Sequence, residues 1–553
     1  MQIIYFTITI VYFLVIAVFI RKNDAIRKVS IKYKIFLLVF LILAFMVRIY
    51  KFDKLPNLDL DEAMGGINSW SLGKYGVDYF HLVKNPVYLY AWGSGMNILY
   101  PLISVPFVKI LGLTITTYRL PLIIINLVSI LLLTYSLYKT RILKNIQRLM
   151  LLIVIFLSPV TICASRWAIE SNLFIPLVVV ILSLFILFIS TTSKYARNAY
   201  LITITIFIGL LAYCYSNNWI FLFSFAICFY TWLLLKGKID IKQVLVSFII
   251  LLIECLPLIL FLYVNFISKR EIFFGGFTAT KLATSRSAFA IENRHLLTSI
   301  INNLTNSIKM LINGYDGIPK ITPQFFGAFL PLMLSFCCIG IITYIVKEKS
   351  VLDTFMFIML ISALWNLLLI QPNFTHFNAI IVPILYFEAR GIMEAFDNYQ
   401  SLITFMVIFT LFFLGAAKSY VNDYNNGTYN NYENTTPSEL KEMIHHAASY
   451  NNVFLVSSHD IRQTNSLSYF VLPIFYQQIN PYEFHRETLY AQPSEFMTYN
   501  HFGKWNIVDL PINRKLKSKK RGVYIVQNGI KMDKASYKTI QTGRYYTTYY
   551  FKG

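Results

Sequence analysis

The feature that most constrains this chain is a series of apolar runs, each about 18–22 residues long, between short charged loops. A helix of about 20 apolar residues crosses the ~30 Å hydrocarbon core of a bilayer. Hydrophobic residues make up 56% of the chain, more than the roughly 45–50% of soluble domains. The sequence therefore predicts an all-α polytopic membrane protein with about 12–13 transmembrane helices. The clearest predicted spans are 3–20, 35–50, 119–138, 148–163, 173–190, 199–215, 217–235, 243–263, 325–346, 352–370, 374–390 and 401–418.

Basic residues fall in the short loops on one side of these spans, and such loops stay in the cytoplasm. They are Arg21, Lys22, Arg27, Lys28, Lys32, Lys34, Lys139, Arg141, Lys144, Arg148, Lys194, Arg197, Lys236, Lys238, Lys242, Lys347, Lys349 and Arg390. We therefore expect the N-terminus, residues 51–118, the loop 264–323 and everything after residue 419 to lie outside. Residues 3–20 lack the flanking signals of a cleaved signal peptide, so we expect them to form the first span.

Residues 97–113 are apolar, but a crossing there would put the basic loop 139–148 outside. The segment is short and contains Pro101, Pro106 and Lys109. We predict a juxtamembrane or re-entrant helix within the first external loop, with a short tilted crossing as the alternative. The choice decides whether Arg119 faces the same compartment as Asp61.

After residue 419 the composition changes to Tyr, Asn, Lys and Ser. Residues 437–450 read as an amphipathic helix, and 453–457 and 522–527 as buried strands. We therefore predict a membrane domain over 1–418 and a soluble extracytoplasmic α/β domain over 419–553.

Several function classes are disfavoured by composition and motifs. The net charge of +22 is explained by loop bias and a basic tail, so a nucleic-acid partner is not expected. The six cysteines lie in or beside apolar runs without a CxxC pair, which disfavours a disulfide framework or zinc site. There is no P-loop or dinucleotide fingerprint in the sequence, so a nucleotide-driven pump is not supported.

Three carboxylates lie within four residues just after the second predicted span: Asp59, Asp61 and Glu62. A carboxylate can take a proton from a sugar acceptor, or hold a divalent cation against a leaving phosphate. We therefore regard Asp61 and Glu62 as candidate catalytic residues, Asp59 as a candidate substrate contact, and Asp59 with Asp61 as the candidate ligands of any metal. An ordinary solvated loop is the alternative.

Two cations could hold a lipid phosphate near this stretch. Lys84 stands in Lys-Asn-Pro, ahead of Tyr88, Tyr90 and Trp92, although such aromatic residues also form interfacial belts. Arg119 opens a predicted span, where snorkelling to the surface is an equal alternative.

Other candidates lie farther along the chain. Arg166 and Glu170 are four residues apart at a predicted external boundary, where a helical ion pair is the alternative. Arg286 lies in the basic loop 264–323, which also carries the turn around Asp316. Basic residues in an external loop fit an anionic ligand such as a lipid phosphate, and plain solvation explains them equally well. His376, between two predicted spans, fits a sugar or phosphate contact less well than an ordinary interfacial histidine.

Together these pieces resemble the GT-C superfamily of polyprenyl-phosphate-dependent glycosyltransferases, especially bacterial relatives of protein O-mannosyltransferases and the lipid A aminoarabinose transferase. The matching motifs are Leu-Asp-Glu-Ala at 60–63, Lys-Asn-Pro at 84–86, Tyr-Arg-Leu-Pro at 118–121, Ser-Arg-Trp-Ala-Ile-Glu at 165–170 and Tyr-Asp-Gly at 315–317. The resemblance covers roughly residues 35–390 as architecture, and the C-terminal domain matches by position.

The resemblance implies a polyprenyl-phosphate sugar donor in the plasma (cytoplasmic) membrane and a glycan, lipid or protein acceptor outside. It also implies that the base is Asp61 or Glu62, that Arg119 and Arg166 lie near the donor phosphate, and that the anomeric carbon is inverted. Lys-Asn-Pro departs from the more usual Lys/His-Pro-Pro, and His376 stands where an arginine is expected. Metal use differs between branches, so Mg²⁺ or Mn²⁺ stays open as a cofactor.

The sequence thus favours a membrane glycosyltransferase. A transporter or flippase of lipid-linked glycans is the first alternative, and a membrane scaffold presenting the external domain is the second. Transporters usually place charges within spans and show internal repeats, whereas here the candidate charges cluster at one predicted membrane face.

Overall fold

The computed structural model describes residues 2–283, 296–318, 321–323, 325–347, 349–396, 399–425, 436–459, 466–490, 498–511, 515–516, 520–533 and 536–551. The chain forms two compact units. The first comprises Met1–Phe52, Leu122–Leu256 and Ser287–Asp423, and the second comprises Asp53–Pro121, Pro257–Arg286 and Tyr424–Gly553. The domain boundary expected at 418/419 falls inside the helix Tyr399–Asn425.

Each of the twelve predicted spans overlaps a helix, although the helix in 325–346 begins only at Met333 and the one in 148–163 is interrupted at Ser158. These helices are Gln2–Lys22, Ile31–Ile49, Ile115–Thr140, Asn145–Leu157 with Pro159–Ala164, Phe174–Ser190, Lys194–Leu211, Trp219–Leu235, Ile241–Tyr263, Met333–Val346, Val351–Leu369, Asn378–Ala395 and Tyr399–Asn425. Among the described residues, seven helical segments are long and apolar enough to cross a membrane. The protein is therefore a multi-pass membrane protein, and the count of twelve to thirteen crossings stays a prediction.

Small residues let helices of the first unit approach closely. Gly340 of Met333–Val346 and Gly391 of Asn378–Ala395 face each other, and a Cβ on either would collide with the main chain of the other helix. Packing of this kind replaces the hydrophobic effect as the source of helix association in lipid. The loop that precedes Met333–Val346 carries a further helix, Leu296–Asn313, and the first connection carries a single turn, Asp24–Arg27.

The segment predicted as a juxtamembrane helix forms Leu99–Leu111 in the second unit. Its 13 residues rise about 20 Å, less than the ~30 Å of a bilayer core. It packs along the helix Leu60–Tyr75, where Ser69 donates a hydrogen bond to the Pro101 carbonyl (3.0 Å). Met333–Val346 is about as short, so it is the packing along Leu60–Tyr75 within the second unit that supports a helix inside the first loop, and its relation to the membrane stays a prediction.

The second unit contains a seven-stranded mixed sheet, which confirms the C-terminal α/β fold. Its strands, in spatial order, are Tyr537–Thr542, Tyr546–Phe551, Gly522–Gln527, Val453–His459, Trp505–Pro511, Tyr499–Phe502 and Leu489–Tyr490. The third, fourth and fifth of these pair in parallel, and the others are antiparallel. The helix Leu440–Ala447 precedes the strand Val453–His459, and the 3₁₀ turn Ser466–Phe470 and the helices Val471–Gln477 and Pro481–Arg486 lie between that strand and Leu489–Tyr490. Three two-stranded ladders complete the unit: Tyr88–Leu89 with Met96–Asn97, Ile272–Phe274 with Phe277–Ala279, and Lys515–Leu516 with Lys531–Met532.

The first loop and the C-terminal segment share one aromatic core within this unit. Phe80 packs against Phe470, Phe484 and Tyr499, at ring-centroid distances of 5.9–6.2 Å. Thr436 donates to the Leu58 carbonyl from its main-chain N–H (3.1 Å) and from its hydroxyl (2.8 Å). The residues just before Asp59 are therefore held by the last quarter of the chain.

Candidate active site

The acidic stretch forms the beginning of the helix Leu60–Tyr75. Asp59 is the N-cap, and its Oδ1 accepts the N–H of Asp61 at 2.8 Å. Glu62 forms the reciprocal hydrogen bond, in which its Oε2 accepts the N–H of Asp59 at 3.2 Å. This is a capping box, in which two side chains satisfy N–H groups that the helix cannot. The Asp-x-x-Glu spacing was the sequence signal for it.

Glu62 also forms a buried ion pair with Arg119. Arg119 Nε lies 2.7 Å from Oε1 and Nη2 lies 2.5 Å from Oε2, and both side chains are buried. The same guanidinium donates to the carbonyls of Pro56 (2.9 Å) and Asn57 (3.2 Å). Arg119 therefore holds the segment before the helix and compensates the charge of Glu62.

Asp61 is the most accessible of the three carboxylates, half-buried where Asp59 and Glu62 are buried. Its Oδ1 accepts a hydrogen bond from Nε1 of Trp92 at 2.8 Å. Trp92 has a positive φ of 53°, and its ring packs against Phe470 at 5.8 Å. The sequence had placed Trp92 only in a possible interfacial belt, and its link to Asp61 spans 31 residues.

Lys84 lies at the exposed edge of the same unit, in a segment paired with the hairpin Ile272–Ala279. Thr278 donates from its hydroxyl to the Lys84 carbonyl (2.9 Å) and from its N–H to the Asn85 carbonyl (2.9 Å). The main chain at Lys84 is thus fixed, and its ammonium group is on an exposed side chain.

Asp78, which the sequence did not single out, closes the turn before Lys84. Its carboxylate accepts the N–H groups of Val83 (2.7 Å) and His81 (3.0 Å). Burial raises the pKa of Asp78 to about 6, against the lowering effect of these hydrogen bonds.

Arg166 and Glu170 belong to the first unit. Arg166 donates to the carbonyls of Val47 (2.7 Å), Arg48 (3.2 Å) and Tyr50 (2.5 Å), and so satisfies the last carbonyls of Ile31–Ile49. Glu170 is half-buried and begins the 3₁₀ turn Glu170–Leu173.

Asp316 and His376 lie in one local structure of the first unit. Asp316 accepts the N–H groups of Ile318 and Phe374, each at 2.9 Å. Burial raises the pKa of its carboxyl group, although these hydrogen bonds act in the opposite direction. His376 Nδ1 donates to the Gln371 carbonyl (2.9 Å), and its ring stacks on Tyr215 at 6.0 Å.

A chain of buried asparagines connects this structure to the turn at Glu170. Asn366 donates to Asn218 (2.7 Å), Asn218 donates to Asn378 (2.5 Å), and Asn378 donates to the Ser171 carbonyl (2.5 Å). The sequence analysis did not predict this chain of hydrogen bonds, because asparagines inside or at the ends of apolar runs give no periodic signal.

The candidate residues thus form two groups. Asp59, Asp61, Glu62, Lys84 and Arg119 lie in the second unit, and Arg166, Glu170, Asp316 and His376 lie in the first. Arg286 lies outside the described residues, so its role stays a prediction.

The carboxylates of the acidic stretch differ in what they could offer a divalent cation, and metal binding by Asp59 and Asp61 stays a prediction. Within the described ranges, no group of three or more His, Cys, Asp or Glu side chains could hold a metal ion. Asp59 is buried and its Oδ1 is engaged at the helix N-terminus, which leaves Asp61 as the accessible carboxylate. One carboxylate together with substrate phosphates is a known way to bind Mg²⁺, so Asp61 could hold such an ion.

No protein-family model and no curated protein matches this sequence. Solved structures do match. ArnT from Cupriavidus metallidurans bound to undecaprenyl phosphate is similar with a TM-score of 0.52 and 9% sequence identity, covering 93% of this chain and 97% of that one. The archaeal oligosaccharyltransferase AglB from Archaeoglobus fulgidus, in complex with an inhibitory peptide and a dolichol-phosphate, gives 0.46 at 11% identity, covering 81% of this chain and 63% of that one. The likeness to ArnT concerns the fold, and it confirms the fold class expected from the sequence.

Proposed function

Because the chain has the fold of the GT-C superfamily of polyprenyl-phosphate-dependent glycosyltransferases, we propose that it is a membrane glycosyltransferase. It moves a sugar from a polyprenyl-phosphate donor to a glycan, lipid or protein acceptor on the extracytoplasmic side of the plasma membrane. The observation that carries the proposal is Asp61: a half-buried carboxylate at a helix start, oriented by Trp92, in a chain with this fold. The undecaprenyl phosphate bound to ArnT supports a donor of the same chemical class.

In this proposal Asp61 is the general base. Its carboxylate takes the proton of the acceptor hydroxyl as the acceptor oxygen attacks the anomeric carbon. The bond between that carbon and the phosphate oxygen breaks, its electron pair stays on the phosphate, and the polyprenyl phosphate departs. Direct displacement of this kind inverts the anomeric carbon. The Trp92 N–H binds Oδ1 of Asp61. We therefore assign the second carboxylate oxygen, Oδ2, to the contact with the acceptor hydroxyl.

The geometry favours positioning roles for Glu62 and Arg119. Both are buried and bonded to each other, and Arg119 also binds two carbonyls. We assign Glu62 and Arg119 to holding the helix that presents Asp61, and Lys84 to the donor phosphate. Arg166 supports the end of Ile31–Ile49. A contact of Arg166 or Arg286 with the donor, and of Asp59, Glu170, Asp316 or His376 with substrate, stays a prediction.

The test is a deletion strain complemented with wild-type protein or with Asp61→Asn. We expect polyprenyl-phosphate sugar to accumulate in the Asp61→Asn strain as it does in the deletion strain, measured by mass spectrometry of extracted lipids. Asp53→Asn is the matched control, since Asp53 is also a half-buried carboxylate of the first loop; it should restore wild-type levels. A wild-type lipid profile with Asp61→Asn would rule out Asp61 as the base.

A further inference from the structure

The apolar surface of one membrane helix continues beyond its predicted end. The helix Ile241–Tyr263 runs on through the turn Val264–Ser268, and the whole segment Ile241–Ser268 has 28 residues. At 1.5 Å per residue it is about 42 Å long, close to the ~40–45 Å of a bilayer with its headgroups. Phe266 and Ile267, at its last turn, are 65% and 70% exposed. A perpendicular helix of this length reaches from one headgroup region to the other, which would place its last turn at the depth of the lipid headgroups.

A hairpin follows at once. Its strands are Ile272–Phe274 and Phe277–Ala279, and Gly275 and Gly276 form the tip with positive φ values. Phe273 and Phe274 are 71% and 50% exposed. Exposed Lys269, Arg270 and Glu271 separate the hairpin from the helix, so this connection carries two cations and one carboxylate. Two aromatic side chains thus project beside the end of a membrane helix, with two cations at their base.

The hairpin is attached to the segment that carries Lys84. The Val87 N–H donates to the Thr278 carbonyl (2.9 Å), and the Asn85 side chain donates to the Gly276 carbonyl (3.0 Å). The Tyr88 ring stacks on Phe261 of the membrane helix at 4.6 Å. Because these hydrogen bonds attach the hairpin to the segment around Lys84, the position of the hairpin along the membrane normal determines that of Lys84.

We propose that the hairpin Ile272–Ala279 is inserted in the phospholipid surface and that it holds Lys84 at the depth of lipid phosphates. Phe273 and Phe274 lie among the upper acyl chains, where burial of apolar surface is favourable. Lys269 and Arg270 reach up to lipid phosphates, as long basic side chains do at membrane interfaces. The occupant of this surface is the bilayer, because the exposed aromatic residues follow within seven positions the exposed apolar end of a membrane helix and the neighbouring cations complement phosphate.

Site-specific photocrosslinking tests the insertion without any activity measurement. The full-length protein carries p-benzoyl-phenylalanine in place of Phe273, is reconstituted in phosphatidylethanolamine–phosphatidylglycerol vesicles and is irradiated. The matched control carries the same residue in place of Tyr482, an aromatic residue of the C-terminal segment that is 50% exposed. We expect lipid adducts by mass spectrometry at position 273 and little at 482. Equal yields at the two positions, no lipid adduct at 273, or an adduct there to a second copy of the chain would overturn the proposal.

A kinetic arm tests the consequence for Lys84, and it rests on the proposed function. The probe is the lipid-linked sugar extracted from the deletion strain. We expect Phe273→Asp with Phe274→Asp to raise the KM for this donor roughly tenfold while kcat changes little, because the hairpin is expelled from the interface. Phe273→Leu with Phe274→Leu keeps an apolar tip and should keep the wild-type KM. A wild-type KM in the Asp pair would contradict the coupling to Lys84, whereas lack of transfer by the wild-type protein would count against the proposed function alone.

Discussion

At the scale of single residues, the Glu62–Arg119 ion pair stabilises the start of the helix Leu60–Tyr75. Removing one charge from a buried pair leaves the other uncompensated, which typically costs about 3–5 kcal/mol. We expect Glu62→Gln to lower the free energy of unfolding by this order, measured by thermal unfolding of the protein in detergent. Glu483→Gln removes an exposed carboxylate and should leave the unfolding temperature unchanged.

The double variant Glu62→Leu with Arg119→Met removes both charges but keeps an apolar side chain at each position, so it distinguishes the effect of charge from the effect of packing. Because an apolar pair can replace a buried ion pair at small cost, we expect it to recover much of the stability that Glu62→Gln loses. If Glu62→Gln were as stable as wild type, the pair would not hold the helix.

The buried carboxyl group of Asp78 makes the free energy of unfolding depend on pH. Its carboxyl is buried, and its pKa is about 6 in the folded protein against 3.8 ordinarily. Between about pH 4 and pH 6 the folded state therefore binds more protons than the unfolded state, so stability falls as the pH rises. The shift corresponds to roughly 3 kcal/mol.

We expect Asp78→Asn to remove this part of the pH dependence. The measurement is the difference in unfolding temperature between pH 4.5 and pH 7, which should favour pH 4.5 more in wild type than in the variant. The loss of one hydrogen bond in Asp78→Asn lowers both temperatures equally and does not affect the difference. An identical difference in both proteins would refute the assignment.

Residue roles were only partly predictable from sequence. The accessible carboxylate could be found, because charge is rare in this chain and three carboxylates stand together. The partners could not: Arg119 is 57 positions from Glu62 and Trp92 is 31 from Asp61. Such pairs depend on tertiary packing, which leaves no local pattern.

At the scale of elements, two glycines of the helix Leu60–Tyr75 should respond in opposite ways to the same change. A Cβ on Gly66 would lie 2.8 Å from Cε2 of Phe475, whereas one on Gly73 would make an ordinary contact with Val105 at 3.4 Å. We expect Gly66→Ala to destabilise the protein by about 1–3 kcal/mol through overpacking. Gly73→Ala should stabilise it by about 0.5–1 kcal/mol, because alanine is the better helix former.

The measurement is the unfolding temperature of Gly66→Ala and of Gly73→Ala, each compared with that of the wild-type protein. Because the substitution and the helix are the same, helix propensity cancels between them. Equal effects would show that Phe475 does not pack on this helix.

The boundaries of helices depend on tertiary contacts as well as on the local sequence pattern. Hydropathy located the spans, since a membrane helix needs a long apolar run whatever its neighbours. The helix expected over 437–450 begins only at Leu440. Glu439 instead accepts the N–H groups of Arg544, Tyr545 and Tyr546, at 2.6–2.9 Å. Ser438 and Glu439 form a turn that leads into the helix, and the partners of Glu439, about a hundred residues away, leave no local pattern.

At the scale of the whole molecule, the membrane topology depends on residues 97–113. The helix Leu99–Leu111 lies in the same compact unit as the first loop and packs along Leu60–Tyr75, which supports a path that does not cross. We expect Thr114→Cys, in a background lacking the native cysteines, to react with an impermeant thiol reagent in intact cells. Lys238→Cys, in a loop predicted to be cytoplasmic, should react only after permeabilisation. Labelling of Thr114→Cys only after lysis would establish a crossing.

The bonds from Thr436 to Leu58 bear on the timing of biogenesis. The first loop is synthesised long before residue 436. In the folded protein it nevertheless packs with Phe470, Phe484 and Tyr499 in one core. A nascent chain therefore inserts its helices while the segment before Asp59 still lacks its partners. In the enzyme we propose, the segment that presents Asp61 therefore reaches its final packing only after the last quarter of the chain has been synthesised.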